Sequence, residues 1–366
     1  MENMVNNFLG NYKDKRVFIT GHTGFKGSWL TFALCHAGAI VKGYALAPET
    51  NPSLYNLIED AIVIESVIAD INDCKKLETE ILAFQPDYLF HLAAQPLVRK
   101  SYKEPLNTFA TNIIGTANVL NALTKLEKSC TAILITTDKV YENREWHYPY
   151  RETDRLGGYD PYSASKACAE IVINSFVQSF FNSSKFNAHK KAIVSVRAGN
   201  VIGGGDWSED RLIPDIAKSI NDNKNIIVRN PKAVRPWQHV LEPVFGYLQL
   251  GILLGNSPLK YSGAWNFGPA NADNLPVIDI AEQAIKIWGK GKIDLQVNPN
   301  APHEAGLLKL DISKAINEMP WKPQMDTSSA IERTISWYKA FYENKQTATE
   351  LLEADILYYQ TLLSKC

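Results

Sequence analysis

Three side chains in this sequence have the types and spacing to move a proton from an alcohol. Tyr162 and Lys166 stand four residues apart in "YDPYSASK" (residues 159–166), with only small residues between them, and on a helix they share one face. A free tyrosine, with a pKa of about 10, is a poor base at neutral pH. A neighbouring ammonium and a cationic nicotinamide ring favour its phenolate, which suits a sugar hydroxyl. Thr137, in "ITTDKVYEN", ends a strand-like run where its hydroxyl can bond the same substrate oxygen. A YxxxK pair alone is ordinary helix; Thr137 and a glycine loop upstream give it a chemical reading.

That loop is "VFITGHTGFKGSWL", with Gly21, Gly24 and Gly27 directly after the first strand and at the start of the next helix. Glycine there allows a tight turn and close approach of the backbone to a pyrophosphate, while the helix start offers unpaired N–H groups. Thr23, Phe25 and Lys26 lie in the same loop and count as cofactor contacts. Asp70 and Ile71 follow a strand where adenine could bind. Leu92, Ala93 and Ala94 of "HLAAQ" end the next strand beside the same crevice, as does Thr136 before Thr137. The second strand, "IVKGYAL", carries neither the acidic residue that holds adenosine ribose hydroxyls nor an arginine in its place, which favours NAD over NADP modestly.

The elements that must position these groups alternate. "RVFIT", "IVKGYAL", "AIVIESVIAD", "DYLFHLAA", "TAILITT" and "AIVSVRAG" read as six buried strands separated by helix-length segments. That pattern predicts an α/β fold, a Rossmann-type doubly wound parallel sheet. After Gly199, "GNVIGGGDW" has loop character, followed by mixed segments up to "WNFGP". The last hundred residues predict a smaller, mainly helical lobe, with "PVIDIAEQAIKIW", "SAIERTISWYKAFY" and the charged tail as helices. The division expected is residues 1–199, with about 236–268, for NAD binding, and about 200–235 with 269–366 for the sugar nucleotide.

The 366 residues are 45% hydrophobic and 21% charged, the composition of a globular protein too long for one simple core. A formal net charge of −1 gives no reason to expect nucleic acid or an anionic membrane as partner. Five scattered cysteines (Cys35, Cys74, Cys130, Cys168, Cys366) form no CxxC pair, so neither a disulfide framework nor a metal site is expected. No signal-like start and no run of about 18 apolar residues occurs, and a cytoplasmic location is expected.

Glycine loop, strand-end hydroxyl and YxxxK occur in the order of the short-chain dehydrogenase/reductase family, and the chain resembles its extended, sugar-nucleotide-modifying branch. Over about residues 14 to 340 it resembles the CDP-glucose 4,6-dehydratases, through "GHTGFKGSW", "AAQPLVRKSY", "TDKVYENREW", "DPYSASK", "RAGNVIGGGDW", "DRLIPD", "RPWQHVLEP" and "WNFGP". Thr137 and Val140 stand where serine and cysteine are expected, and Gly306-Leu307 where bulkier residues are. A glutamate is usual in the dTDP-glucose enzymes at Lys139.

The resemblance implies CDP-glucose as substrate and a homo-oligomer, dimer or tetramer. It implies that Tyr162 takes the C4 hydroxyl proton while NAD takes the hydride, and that Asp138 is the acid for loss of water from C6. Lys139 is either a neutral base at C5 or the enolate's cationic partner; the two roles stay open. Arg211, Arg235 and Lys309 are candidates for the diphosphate, with Asn200, Leu212, Gln95 and His239 as further substrate contacts. Sugar-nucleotide 4-epimerases and 4-ketoreductases are the nearest alternative, and neither needs Asp138. A non-catalytic dinucleotide sensor would need only the glycine loop.

Overall fold

The structure is a computed structural model and describes residues 8–270, 275–296 and 307–365. Seven parallel strands form its central sheet: β1 (Arg16–Thr20), β2 (Ile40–Ala45), β3 (Ile64–Ile68), β4 (Tyr88–His91), β5 (Cys130–Ile135), β6 (Lys191–Ala198) and, after β7 (Val201–Ile202), β8 (Ile226–Val228), β9 (Val234–Arg235) and β10 (Gln238–His239), β11 (Gly263–Phe267). Their order is β11-β6-β5-β4-β1-β2-β3. The principal helices are α1 (Phe25–His36), α2 (Cys74–Phe84), α3 (Gly115–Lys125), α4 (Pro161–Ser179), α5 (Leu212–Asn221), α6 (Leu241–Asn256), α7 (Val277–Trp288), α8 (Thr327–Tyr342) and α9 (Ala348–Leu363).

A strand covered on both faces has no polar side, which is why β5 and β6 are buried at every residue. Alternation still divides them. Val17 and Ile19 join Trp29, Ile133, Val194 and Phe245 on one face of the sheet; Phe18 joins Leu77, Leu89, Val119 and Ile173 on the other. The chain leaves β1 towards β2 and β3, then returns to β4 on the opposite side. The crevice beyond the carboxyl ends of β1 and β4 is therefore a topological switch point, where such sheets bind ligands.

Two strand expectations need correction. "AIVIESVIAD" is not a buried strand: β3 is the sheet's edge, paired on one side only, with Val63 93% and Ile68 51% exposed. The seventh strand, β11, lies in the segment read only as mixed. Its Asn266 is fully buried because its side chain bonds Tyr150 O, Asp311 O and the Tyr141 hydroxyl. "GNVIGGGDW" contributes the two-residue β7, which pairs with β10. Among the described residues, no helix is long and apolar enough to cross a membrane. Gly306 and Cys366 lie outside the described residues.

Helix α9, assigned above to the smaller lobe, packs on α1 and the short helix Leu54–Ile58 as well as on α8, because its face of Leu352, Ile356 and Tyr359 is buried there. Two buried carboxylates meet this helix. Asp355 pairs with Arg333, and the Tyr359 hydroxyl donates to Glu242 Oε2 at 2.7 Å. Glu242 also accepts the Gln324 and Met325 N–H groups, yet burial pushes its pKa up to about 7. An unfolded glutamate titrates near 4.3. The folded protein thus binds this proton more tightly, and the stability it adds is present below about pH 4 and lost as pH rises through 7. Melting temperatures measured over that range should fall more steeply for wild type than for Glu242→Gln, which keeps an acceptor for the two N–H groups. Parallel curves would remove Glu242 as the source.

Candidate active site

The glycine loop is tight for reasons that glycine alone satisfies. Gly21 has φ +77°, and a Cβ there would lie 2.6 Å from Ala93 N; one on Gly27 would lie 2.0 Å from Gly21 O. The loops after β1 and β4 are thus pressed together. Helix α1 begins at Phe25 with Gly24 as a cap that offers no side chain, so its first N–H groups face the crevice mouth. This cradle fits a dinucleotide pyrophosphate. Thr20 and His91 brace it: the Thr20 hydroxyl donates to His91 Nδ1 (2.7 Å) and accepts from Ala93 N (3.2 Å), while His91 Nε2 meets the Thr116 hydroxyl (2.9 Å). That pattern requires the proton on Nε2, because the Thr116 hydroxyl already donates to Asn112 O. Burial holds His91 neutral, with a pKa of about 3.

The strand end and α4 meet as expected. Asp160 caps α4 through Ser163 N and Pro161 fills its first position, so the helix starts one residue before Tyr162. The Tyr162 hydroxyl hydrogen-bonds Thr137, whose own hydroxyl donates to Asp138 Oδ1 at 2.9 Å. Lys166 is buried and gives its ammonium to Ile135 O at 2.9 Å. Burial pushes Tyr162 up to about 12; the bond to Thr137 works against that rise, Asp138 adds to it, and Arg211 opposes it. Burial likewise lowers Lys166 to about 8.

Asp138 is buried, with Oδ2 lacking a hydrogen-bond partner and a Cβ on Gly199 only 3.5 Å from it. Burial raises its pKa, while Lys139, the Thr137 hydroxyl and Arg235 pull it back. A carboxyl whose hold on a proton is strengthened by burial, next to the Tyr162–Thr137 pair, suits elimination of a hydroxyl. Lys26 faces the same space: burial lowers it to about 8, with Arg211 and Lys166 reinforcing the shift and Asp138 opposing it. Arg211 is held by Asp206 at 3.0 Å just before α5, whose first residue is Leu212. Asn200 follows β6, and Lys309 is half-buried with its carbonyl accepting Tyr150 N.

Three expected contacts are turned elsewhere. His239 is fully buried against Trp29, with Nε2 3.8 Å from Asp355, and no surface of it reaches the crevice. The Gln95 amide is used up in its own loop, accepting Leu97 N (2.7 Å) and donating to Thr108 Oγ1 (2.9 Å) and Leu97 O. The Thr136 hydroxyl points under the strand to Glu170 Oε1, 2.5 Å away. Asp70 bonds Asn72 N with its carboxylate, while Ile71 is buried. Thr23 donates to Leu46 O.

Glu170 and Arg197 did not enter the sequence reading. Both carried a signal: Glu170 repeats the four-residue spacing of Tyr162 and Lys166, and Arg197 is a charge inside a strand of buried residues.

A family model described as GDP-mannose 4,6 dehydratase matches residues 18–334. The CDP-glucose 4,6-dehydratase of Salmonella typhimurium (strain LT2) is 48% identical over 330 residues, which is 90% of this chain and 92% of that one. Among solved structures, a UDP-glucose 4-epimerase from Thermotoga maritima with UDP-glucose has a TM-score of 0.76 at 22% identity, covering 90% of this chain and 100% of its own. The dTDP-glucose 4,6-dehydratase of Bacillus anthracis (strain Ames) in complex with NAD has a TM-score of 0.73 at 20% identity, covering 90% and 98%. These two share the fold.

Proposed function

The chain belongs to the GDP-mannose 4,6-dehydratase family, and on that premise we propose that it converts CDP-glucose to CDP-4-keto-6-deoxyglucose and water. The observation that carries this is Asp138: a buried carboxyl, raised by its burial, one residue beyond the hydroxyl that meets Tyr162. An epimerase or a ketoreductase has no use for an acid there. The cytidine preference rests on the 48% identical relative.

The cofactor is NAD, which when bound would supply hydride transfer between C4 and C6 with no net change in its own oxidation state. Gly21, Thr23, Gly24, Phe25, Lys26 and Gly27, facing Leu92, Ala93 and Ala94, would hold it. Thr137 fixes the C4 oxygen of the sugar and Tyr162 takes its proton. The resulting ketone makes the C5 proton acidic, and Lys139, next to Asp138 in the sequence, receives that proton or balances the enolate's charge. Asp138 protonates the C6 hydroxyl as it leaves, and a solvent proton later returns to C5. Arg211, Arg235 and Lys309, with Asn200 and Leu212, form the proposed substrate contacts. The expected homo-oligomer stays part of this proposal; Leu106, Ile114 and Ile171 are exposed apolar side chains on helices that pack against one another.

The test is incubation with CDP-glucose, dTDP-glucose and UDP-glucose, followed by product mass and absorbance. CDP-glucose should give a product lighter by one water with no net reduced nicotinamide. An isobaric product would indicate an epimerase, and stoichiometric reduced cofactor a dehydrogenase.

A further inference from the structure

We propose that Glu170, clamped by Arg197, is a positioning residue for this chemistry: it registers α4 on the strand end that carries Thr137 and stands one helical turn from Lys166 as its fixed counter-charge. The inference rests on the proposed site, but its closing measurement reads Lys166 directly.

Three consecutive strand-end residues grip three side chains spaced by four along α4. Thr137 takes the Tyr162 hydroxyl, Ile135 O takes Lys166 Nζ (2.9 Å), and the Thr136 hydroxyl donates to Glu170 Oε1 (2.5 Å). One slip of the helix would break all three. Glu170 is itself immobilised. Arg197 approaches it in a fork, Nε to Oε1 and Nη2 to Oε2, both 2.9 Å, and the Ser195 hydroxyl gives Oε2 a further bond at 2.8 Å. Both partners are only 4% exposed at the side chain. A buried pair of this kind is weak evidence for net stability, since a packed apolar pair often does as well. Its retention here calls for another use.

The electrostatics supply one. Lys166 sits in low dielectric with Lys26 of α1 sharing its space, and His91 of β4 beside it is neutral. Among the described residues Glu170 is the group whose charge favours the ammonium, and Arg197 with the Thr136 and Ser195 hydroxyls keeps Glu170 ionised despite its burial. Arg197 carries the clamp further. Its Nη1 donates to the Tyr141 hydroxyl (2.8 Å) and to Glu152 O, and Tyr141 bonds Asn266, which holds Tyr150 O and Asp311 O. The backbone of Tyr150 in turn pairs with Lys309 and Asp311. One network thus ties the acid–base helix to the segment proposed to meet the diphosphate.

The experiment is a pH titration of lysine 13Cε resonances, with the Lys166 signal assigned from its loss in Lys166→Arg, alongside the pH profile of kcat. Wild type should titrate near 8. In Glu170→Gln the unpaired Arg197 adds a second cation, and the Lys166 midpoint and the alkaline limb of kcat should both fall by about one pH unit. Adding Arg197→Met rebalances the charge and should bring both back towards wild type. A Glu170→Gln protein that melts earlier but titrates as wild type overturns the proposal and leaves a structural pair. If Glu170→Gln does not fold, Thr136→Val keeps both charges and tests registration: kcat should drop roughly ten-fold at unchanged KM, and a wild-type kcat overturns it. A wild-type protein inactive on CDP-glucose would refute the proposed reaction while the lysine titration still decides this inference.

Discussion

Tyr162→Phe should lower turnover by about 10²- to 10⁴-fold, the usual cost of removing a positioned general base, while leaving the fold and NAD binding in place. The expectation is specific because the tyrosine's other contacts are made by its backbone. Its N–H donates to the Ser101 hydroxyl, its carbonyl accepts the Ser165 hydroxyl, and both survive the substitution. Only the bond to Thr137 disappears. In the protein alone the phenol is held near 12, so the field of Arg211 and the cationic cofactor must supply the driving force for its ionisation. Single-turnover absorbance at the reduced-nicotinamide band should stay flat in this variant, with a normal melting curve and normal NAD affinity. A folded variant that oxidises C4 at the wild-type rate would make the tyrosine structural.

The second large effect separates oxidation from elimination. Asp138→Asn preserves an oxygen for the Thr137 hydroxyl but removes the ionisable acid, whose pKa burial raises. Loss of water should slow by about 10²- to 10⁴-fold, while the step at C4, which uses Tyr162 and Thr137, continues. The band that stays flat in Tyr162→Phe should therefore rise and persist in Asp138→Asn. Lys139→Met should instead slow exchange of the C5 hydrogen with solvent deuterium, whether the lysine is base or counter-ion. Should both variants block oxidation as completely as Tyr162→Phe with NAD bound, the assignment of the turn to C5 and C6 chemistry fails. Arg235 bears on the same step, since it is one of the cations that pull the Asp138 proton off. Its proposed engagement by a diphosphate would weaken that pull and leave Asp138 the stronger hold on its proton.

The sequence by itself determined what depends on short-range periodicity and backbone sterics. Runs of β-branched residues separated by helical segments suffice for a doubly wound sheet, because a parallel strand must be followed by a crossover. Glycine loop, strand-end threonine and YxxxK were legible because each is a local pattern, and the carboxyl ends of β1, β4 and β5 necessarily open on one side of the sheet. Tertiary structure alone decided which polar groups face the crevice. Gln95, Thr136 and His239 have the right chemistry in the right segments, but Gln95 bonds Thr108, Thr136 bonds Glu170 and His239 is buried beside Asp355, neighbours 13 to 116 residues away. The edge position of β3 was equally hidden, since burial of a strand depends on what lies beside it. So was the role of Glu170, whose spacing was visible while its partner Arg197, 27 residues on, was not. A buried polar atom takes whichever partner the fold brings within about 3 Å, and long-range contacts of that kind leave no period in the chain.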